Sequence, residues 1–164
     1  MLNKIMIASA ALMIASPAID QYNGDGWRAQ APATETVPYR QVRRTLSDVQ
    51  YSVNHEIRPM SDEEQYGGKD MWVSEPPSMA GDCDDYAMTK RCRLIRDGIP
   101  ASAMQIKKAR TWRGEMHAIL VVETDEGEMV LDNLVGPVTP RRNWDGWTGT
   151  IIDVPSATID LSGN

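Results

Sequence analysis

Residues 81–87 read Gly-Asp-Cys-Asp-Asp-Tyr-Ala, which places a thiol where a helix is expected to start. A cysteine in the first turn of a helix has its thiolate stabilised by unpaired backbone N–H groups and by the positive end of the helix dipole. Thiol proteases make a nucleophile that way, and the Cys83 N–H then serves as one donor to an oxyanion. The alternative for any free cysteine is a small buried core residue. It suits Cys92, on the apolar stripe of the same helix, and not Cys83, whose neighbours are a glycine and three carboxylates. A bridge between the two would require breaking that helix. Nine helical residues rise about 13 Å, whereas bridged Cα atoms lie about 4.4–6.8 Å apart.

A thiol nucleophile needs a base, and the chain holds two histidines, His55 and His117. His55 falls near the end of an exposed-looking helix, while His117 opens a long apolar strand. A strand histidine is often only a satisfied core residue, so register must single it out. If the hairpin pairs 123 with 128, then 121 faces 130, 119 faces 132 and 117 faces 134. Asp132 then shares a face with His117 as a diagonal neighbour, within reach to orient the imidazole. A slip of one residue would put them on opposite faces. The order Cys83, His117, Asp132 follows the logic of papain-like catalysis.

The acids around the thiol raise a separate question. Asp82, Asp84 and Asp85 oppose thiolate formation, since like charges disfavour each other. A hard cation held by their oxygens would cancel that repulsion. The other reading needs no metal: Asp82 and Asp85 cap the helix and Asp84 is solvated. Both stand at this point. An EF-hand loop is absent, and so is the Cys/His cluster that zinc requires.

These residues need elements to hold them. Val42, Leu46, Val49, Val53 and Ile57 recur at helical spacing and predict an amphipathic helix over 41–57, stopped by Pro59. Residues 60–82 form a connector rich in turn residues, and loops of that length are often functional. The second helix runs from Cys83 to Arg96. Asp82 is its N-cap, Asp85 the partner three positions on, and Gly98 its C′ residue. The period then changes to strands. One is expected over 103–109, a buried one over Met116–Glu123, a turn at 124–127, and the partner strand over Glu128–Leu134. One more strand is read at 150–154. The sum is α+β, N-terminal helices packed on an antiparallel sheet.

Composition bounds the rest. The chain has 164 residues, 17 basic against 23 acidic side chains, five Trp, five Tyr and no Phe. That is enough for one domain. With no Lys/Arg run to neutralise phosphates, nucleic acid is not an expected partner. Residues 1–18 carry Lys4, an apolar stretch over 5–15 and a small-x-small ending, the layout of a secretory signal peptide cleaved near Ala18. The stretch is short of the roughly 20 residues that span a bilayer. The expectation is therefore export, with no stable membrane span once the signal is cleaved. Residues 19–40 are polar and turn-rich and read as a flexible arm, leaving 41–164 as a single domain.

Together, Gly81–Ala87, M-H-A-I-L-V-V at 116–122 and V-L-D-N-L at 130–134 resemble the bacterial transglutaminase-like cysteine proteinases. V-N-H-E-I-R-P at 53–59 and Y-G-G-K-D-M-W at 66–72 extend the likeness, which runs from about Val53 to Val138. The family includes a periplasmic protease that clips large surface adhesins and so triggers biofilm dispersal. The resemblance implies a papain-like, transglutaminase-like core with Cys83 as nucleophile, His117 as general base and acid, and Asp132 as orienting carboxylate. It implies a periplasmic location, a protein substrate such as a surface adhesin, and calcium bound by the acids around Cys83, namely Asp82, Asp84 and Asp85. No organic cofactor is expected. The commoner family pattern has Glu at the position of Asp84, a longer reach toward a metal. Trp72 lines the substrate cleft by the same resemblance, although a Trp plugging the edge of the core reads equally well. A transglutaminase, or a cell-wall peptidase or amidase, would use the same three residues. A non-catalytic calcium- or adhesin-binding module is the reading from outside enzymology. Whether a regulator sequesters the protein is not legible.

Overall fold

The computed structural model describes residues 33–111 and 113–144, together with the backbone of 21–23. In chain order the elements are β1 (Gln21–Asn23), α1 (Tyr39–Glu56), β2 (Arg58–Pro59), α2 (Asp62–Tyr66), β3 (Met71–Val73) and β4 (Ala80–Gly81). They continue with α3 (Cys83–Arg96), β5 (Met104–Arg110), β6 (Met116–Thr124), β7 (Gly127–Leu131) and β8 (Thr139–Pro140). Strands β5-β6-β7-β8 form one antiparallel sheet in that order. Two small ladders lie outside it, β1 with β3 antiparallel and β2 with β4 parallel.

The helices form where the apolar stripes predict. α1 buries Leu46, Val49, Gln50 and Val53. Pro38 offers its first turn no side-chain cap, and the Tyr39 amide instead donates to Asp125 Oδ1 at 2.7 Å, from the turn between β6 and β7. α3 begins at Cys83 and ends at Arg96, as expected. Asp82 caps it by accepting from the Asp84 amide at 3.4 Å. At the other end Gly98, at φ 91°, closes a Schellman motif: Ile99 N donates to Leu94 O at 2.9 Å and Gly98 N to Ile95 O at 3.0 Å.

The hairpin register is the expected one, with Glu123 opposite Glu128 and Val121 opposite Val130. One face of the sheet packs Ala118, Leu120, Val122, Met129 and Leu131 against the helices. The other gathers Ala109, Ile119, Val121, Val130 and Trp144.

Three expectations change. β7 ends at Leu131 rather than Leu134, because the Leu134 amide turns back to Asp132 Oδ1 at 2.9 Å and takes the chain out of the ladder. The polar stretch 19–40 is not a loose arm where it is described. Its backbone pairs at β1, Thr34 N donates to Ser102 O at 2.8 Å, and Val37 bridges Thr124. The connector 60–82 likewise contains α2, β3 and β4. The expected signal segment and the strand at 150–154 lie outside the described residues. No helix among the described residues is long and apolar enough to cross a membrane.

Candidate active site

The carboxylate and base of the candidate triad meet on the sheet. His117 Nε2 and Asp132 Oδ1 are 2.8 Å apart, with His117 7% and Asp132 2% exposed. Asp132 lies just past the end of β7, and its backbone is held from α1. Gln50 Nε2 donates to the carbonyls of Asp132 and Val135, both at 2.7 Å, and Asn54 Nδ2 to that of Asp132 at 3.1 Å. The Asp132 carboxyl is held below the usual carboxylate range. Burial pushes it up, but the hydrogen bond and charge of His117 outweigh this, helped by donation from the Leu134 amide and the Trp144 indole. With Nε2 engaged by Asp132, Nδ1 is the ring nitrogen left to serve a thiol.

The thiol comes from α3. Cys83 is partly exposed and lines a cleft of about 170 Å³ together with His117, Ala118 and Met116. The Ala118 amide donates toward its sulfur, bringing the start of β6 to the start of α3. Neither cysteine is bridged. Ahead of the helix the backbone is tightly constrained. Glu75, Ser78 and Met79 adopt positive φ of 54°, 60° and 46°. The Glu75 amide donates to Thr89 Oγ1 at 2.9 Å, and its carboxylate takes a bidentate pair from Arg93, whose guanidinium also meets Glu56 at 2.8 Å. Gly81 follows, where an added Cβ would overlap the Asp85 side chain.

Electrostatics at this end oppose ionisation. Burial pushes the Cys83 thiol up to about 12, with the charges of Asp82 and Asp84 adding to it against the Ala118 donation. Burial raises Asp85 to about 7, with Asp82 and Asp62 adding to it while the backbone donors resist. Asp84 is raised further, by burial and then by Asp82. Such crowding of carboxylates is a site short of positive charge.

The acids converge, but not as expected. Oxygens of Asp62, Asp82 and Asp85 all lie within 4.8 Å of one another, and Asp84 is not in that group. Asp84 lines the cleft beside Cys83, while Asp62 arrives from the first turn of α2. Asp62 Oδ2 accepts from the Met71 amide at 2.5 Å and Asp85 Oδ1 from Val73 at 2.8 Å, so the two acids clamp β3. Each keeps a buried oxygen with no hydrogen-bond partner, Asp62 Oδ1 and Asp85 Oδ2. Clustered hard oxygens with unused lone pairs fit a calcium-type cation.

Trp72 is placed between core and cleft. It is 2% exposed, and therefore mostly core, yet its edge borders the cleft. Its Nε1 donates to Asp70 Oδ1 at 3.1 Å, and the Lys108 ammonium lies 5.5 Å from its ring centroid. Sequence reasoning missed Asp62, Gln50, Asn54, Trp144 and Lys90. Lys90 is fully buried on α3, its Nζ without a hydrogen-bond partner. Burial lowers it to about 7, against the pull of the Asp132 charge.

The profile of the family described as bacterial transglutaminase-like cysteine proteinase, BTLCP, matches residues 21–145. Among solved structures the chain is similar to LapG of Legionella pneumophila. Against its calcium-bound form the identity is 25% and the TM-score 0.52, over 62% of this chain and 59% of that one. A second LapG structure matches at 25% identity and TM-score 0.48, over 59% and 56% of the two chains. The EGTA-treated form matches at 22% and 0.46, over 62% and 57%. This chain thus spans 59% of the length of the calcium-bound LapG it matches. No curated protein matches the sequence.

Proposed function

The chain belongs to the bacterial transglutaminase-like cysteine proteinases, and from that premise we propose that it is an exported endopeptidase that cleaves a protein substrate through Cys83, His117 and Asp132. The observation that carries this reading is the 2.8 Å bond from His117 Nε2 to Asp132 Oδ1, beside a helix-borne thiol that lines the same cleft.

The chemistry follows from the placement. His117 Nδ1 takes the proton of Cys83 as the sulfur adds to the scissile carbonyl carbon. The resulting oxyanion is met by the Cys83 amide at the positive end of α3. Collapse expels the amine, which receives its proton from His117, and leaves a thioester on Cys83. Water, deprotonated by His117, then adds to the thioester, and release of the acid restores the thiol. Asp132 holds the imidazole tautomer with Nε2–H throughout and stabilises the imidazolium.

Asp62, Asp82 and Asp85 would hold a calcium ion, whose charge offsets the repulsion those acids exert on the thiolate. The likeness to a calcium-bound LapG supports this choice of ion. Residues 1–18 direct the chain to the periplasm, the catalytic domain takes in the family match over 21–145, and a surface adhesin is the proposed substrate.

The test is the pH dependence of Cys83 alkylation in a Cys92→Ser background, with calcium and with chelator. An ordinary thiol titrates near about 8.5, and an activated one falls to about 3.5–7.5. The expected result is a depressed value with calcium that is lost in His117→Ala. An ordinary or raised value under both conditions overturns the proposal. Product analysis with added amine then separates hydrolysis from acyl transfer.

A further inference from the structure

Asp132 takes donors from more than the triad. Trp144 Nε1 donates to its Oδ2 at 3.0 Å, while Oδ1 takes His117 Nε2 at 2.8 Å and the Leu134 amide at 2.9 Å. The indole is 6% exposed and packs with Ile119, Val121 and Val130, on the face whose strand parity His117 shares. Its position is set by the sheet. β8 pairs with Met129 and Val130, and the Trp144 amide donates back to Pro140 O at 3.1 Å. The Arg141 guanidinium lies 5.9 Å from the ring centroid.

A carboxylate held through one oxygen can still turn about its Cβ–Cγ bond. Held through both oxygens, by donors on different elements, it has one plane. We propose that Trp144 is a positioning residue of the site, whose indole N–H fixes the plane of the Asp132 carboxylate so that Oδ1 holds His117 in register for the Cys83 thiol. The inference rests on the proposed roles of Cys83, His117 and Asp132. A buried carboxylate that loses a donor keeps its desolvation cost, so the lost bond cannot be recovered from water.

The experiment compares rates of Cys83 alkylation at neutral pH, with calcium, in the Cys92→Ser chain carrying Trp144→Phe, Trp144→His or Val130→Ala. Phe removes the donor, His restores a ring N–H, and Val130→Ala disturbs the same apolar cluster without touching Asp132. Trp144→Phe is expected to slow alkylation about tenfold or more, as for a lost hydrogen bond to a charged group. Trp144→His should recover most of the rate, and Val130→Ala should leave it unchanged. Should Trp144→Phe fail to fold, benzothienylalanine at position 144 puts sulfur for N–H at constant shape and carries the same expectation. An unchanged rate in the donor-less variant overturns the inference, and so does an equal fall in all three. If instead the parent reacts no faster than His117→Ala, the triad reading itself has failed and takes the inference with it.

Discussion

The two halves of the candidate site are built to opposite standards. On the sheet, Asp132 has both oxygens and its carbonyl satisfied, and its acidity is strengthened by its donors. At the start of α3, carboxylates crowd a half-buried thiol, three of their oxygens (on Asp62, Asp84 and Asp85) have no hydrogen-bond partner, and the preceding loop carries three non-glycine residues at positive φ. The sheet half is finished by the protein alone. The helix half is electrostatically incomplete, and a cation is what would complete it. On the proposed reading, the placement of base and carboxylate belongs to the fold, while the acidity of the thiol is open to control by an ion.

Substitutions can pull these halves apart. Asp132→Asn should lower turnover by about 10⁴-fold, because the amide favours the wrong imidazole tautomer. Its thermal unfolding should remain as sensitive to calcium as the parent's, since the acids at α3 are untouched. If turnover and the calcium response fall together, the halves are not separable.

Asp85→Asn should do the reverse. In chelator it should be more stable than the parent, since one of three crowded acids has lost its charge. With calcium it should lose the ion's stabilisation, about 2.7 kcal/mol at a hundredfold excess over Kd. Urea denaturation under the two conditions measures both signs.

Lys90→Met should stabilise the protein at neutral pH by roughly 1–2 kcal/mol, as replacing a buried ion often does. The parent should also grow more stable as pH rises from about 7 to about 10. Folded Lys90 gives up its proton near 7, whereas the unfolded chain holds it to 10.5, so the unfolded state binds more protons in that window. Denaturation midpoints across the window should rise in the parent and stay flatter in Lys90→Met. The smallest effect is Ser78→Gly. Relief of the positive φ at this exposed residue should add up to about 1 kcal/mol of thermal stability.

The same division explains what the sequence discloses. The hairpin could be read because its register follows from one turn and a run of apolar residues, and register alone aligns His117 with Asp132. α3 could be read from Asp82 at one end and Gly98 at the other. The family motifs then tied both to one chemistry. What escaped are pairings set by the packing of distant segments. Asp62 looks like any acid in a first helical turn, inside the capping box of Ser61 and Glu64. It meets Asp82 and Asp85 only because β3 lies between them. Gln50 and Trp144 look like an interruption in a helical stripe and an aromatic in a loop. Their bonds to Asp132 span the molecule from α1 and from beyond β8.

His117 and Asp132 are only fifteen residues apart in the chain and belong to one hairpin. Hairpins form in about 1–10 μs, among the early events available to a folding chain. Cys83 must arrive from a different element, and it meets the hairpin only when α3 docks. On the proposed reading, a newly made or partly folded chain carries the base and its carboxylate while the sulfur is still an ordinary thiol, which would confine reactivity to molecules that have completed their folding.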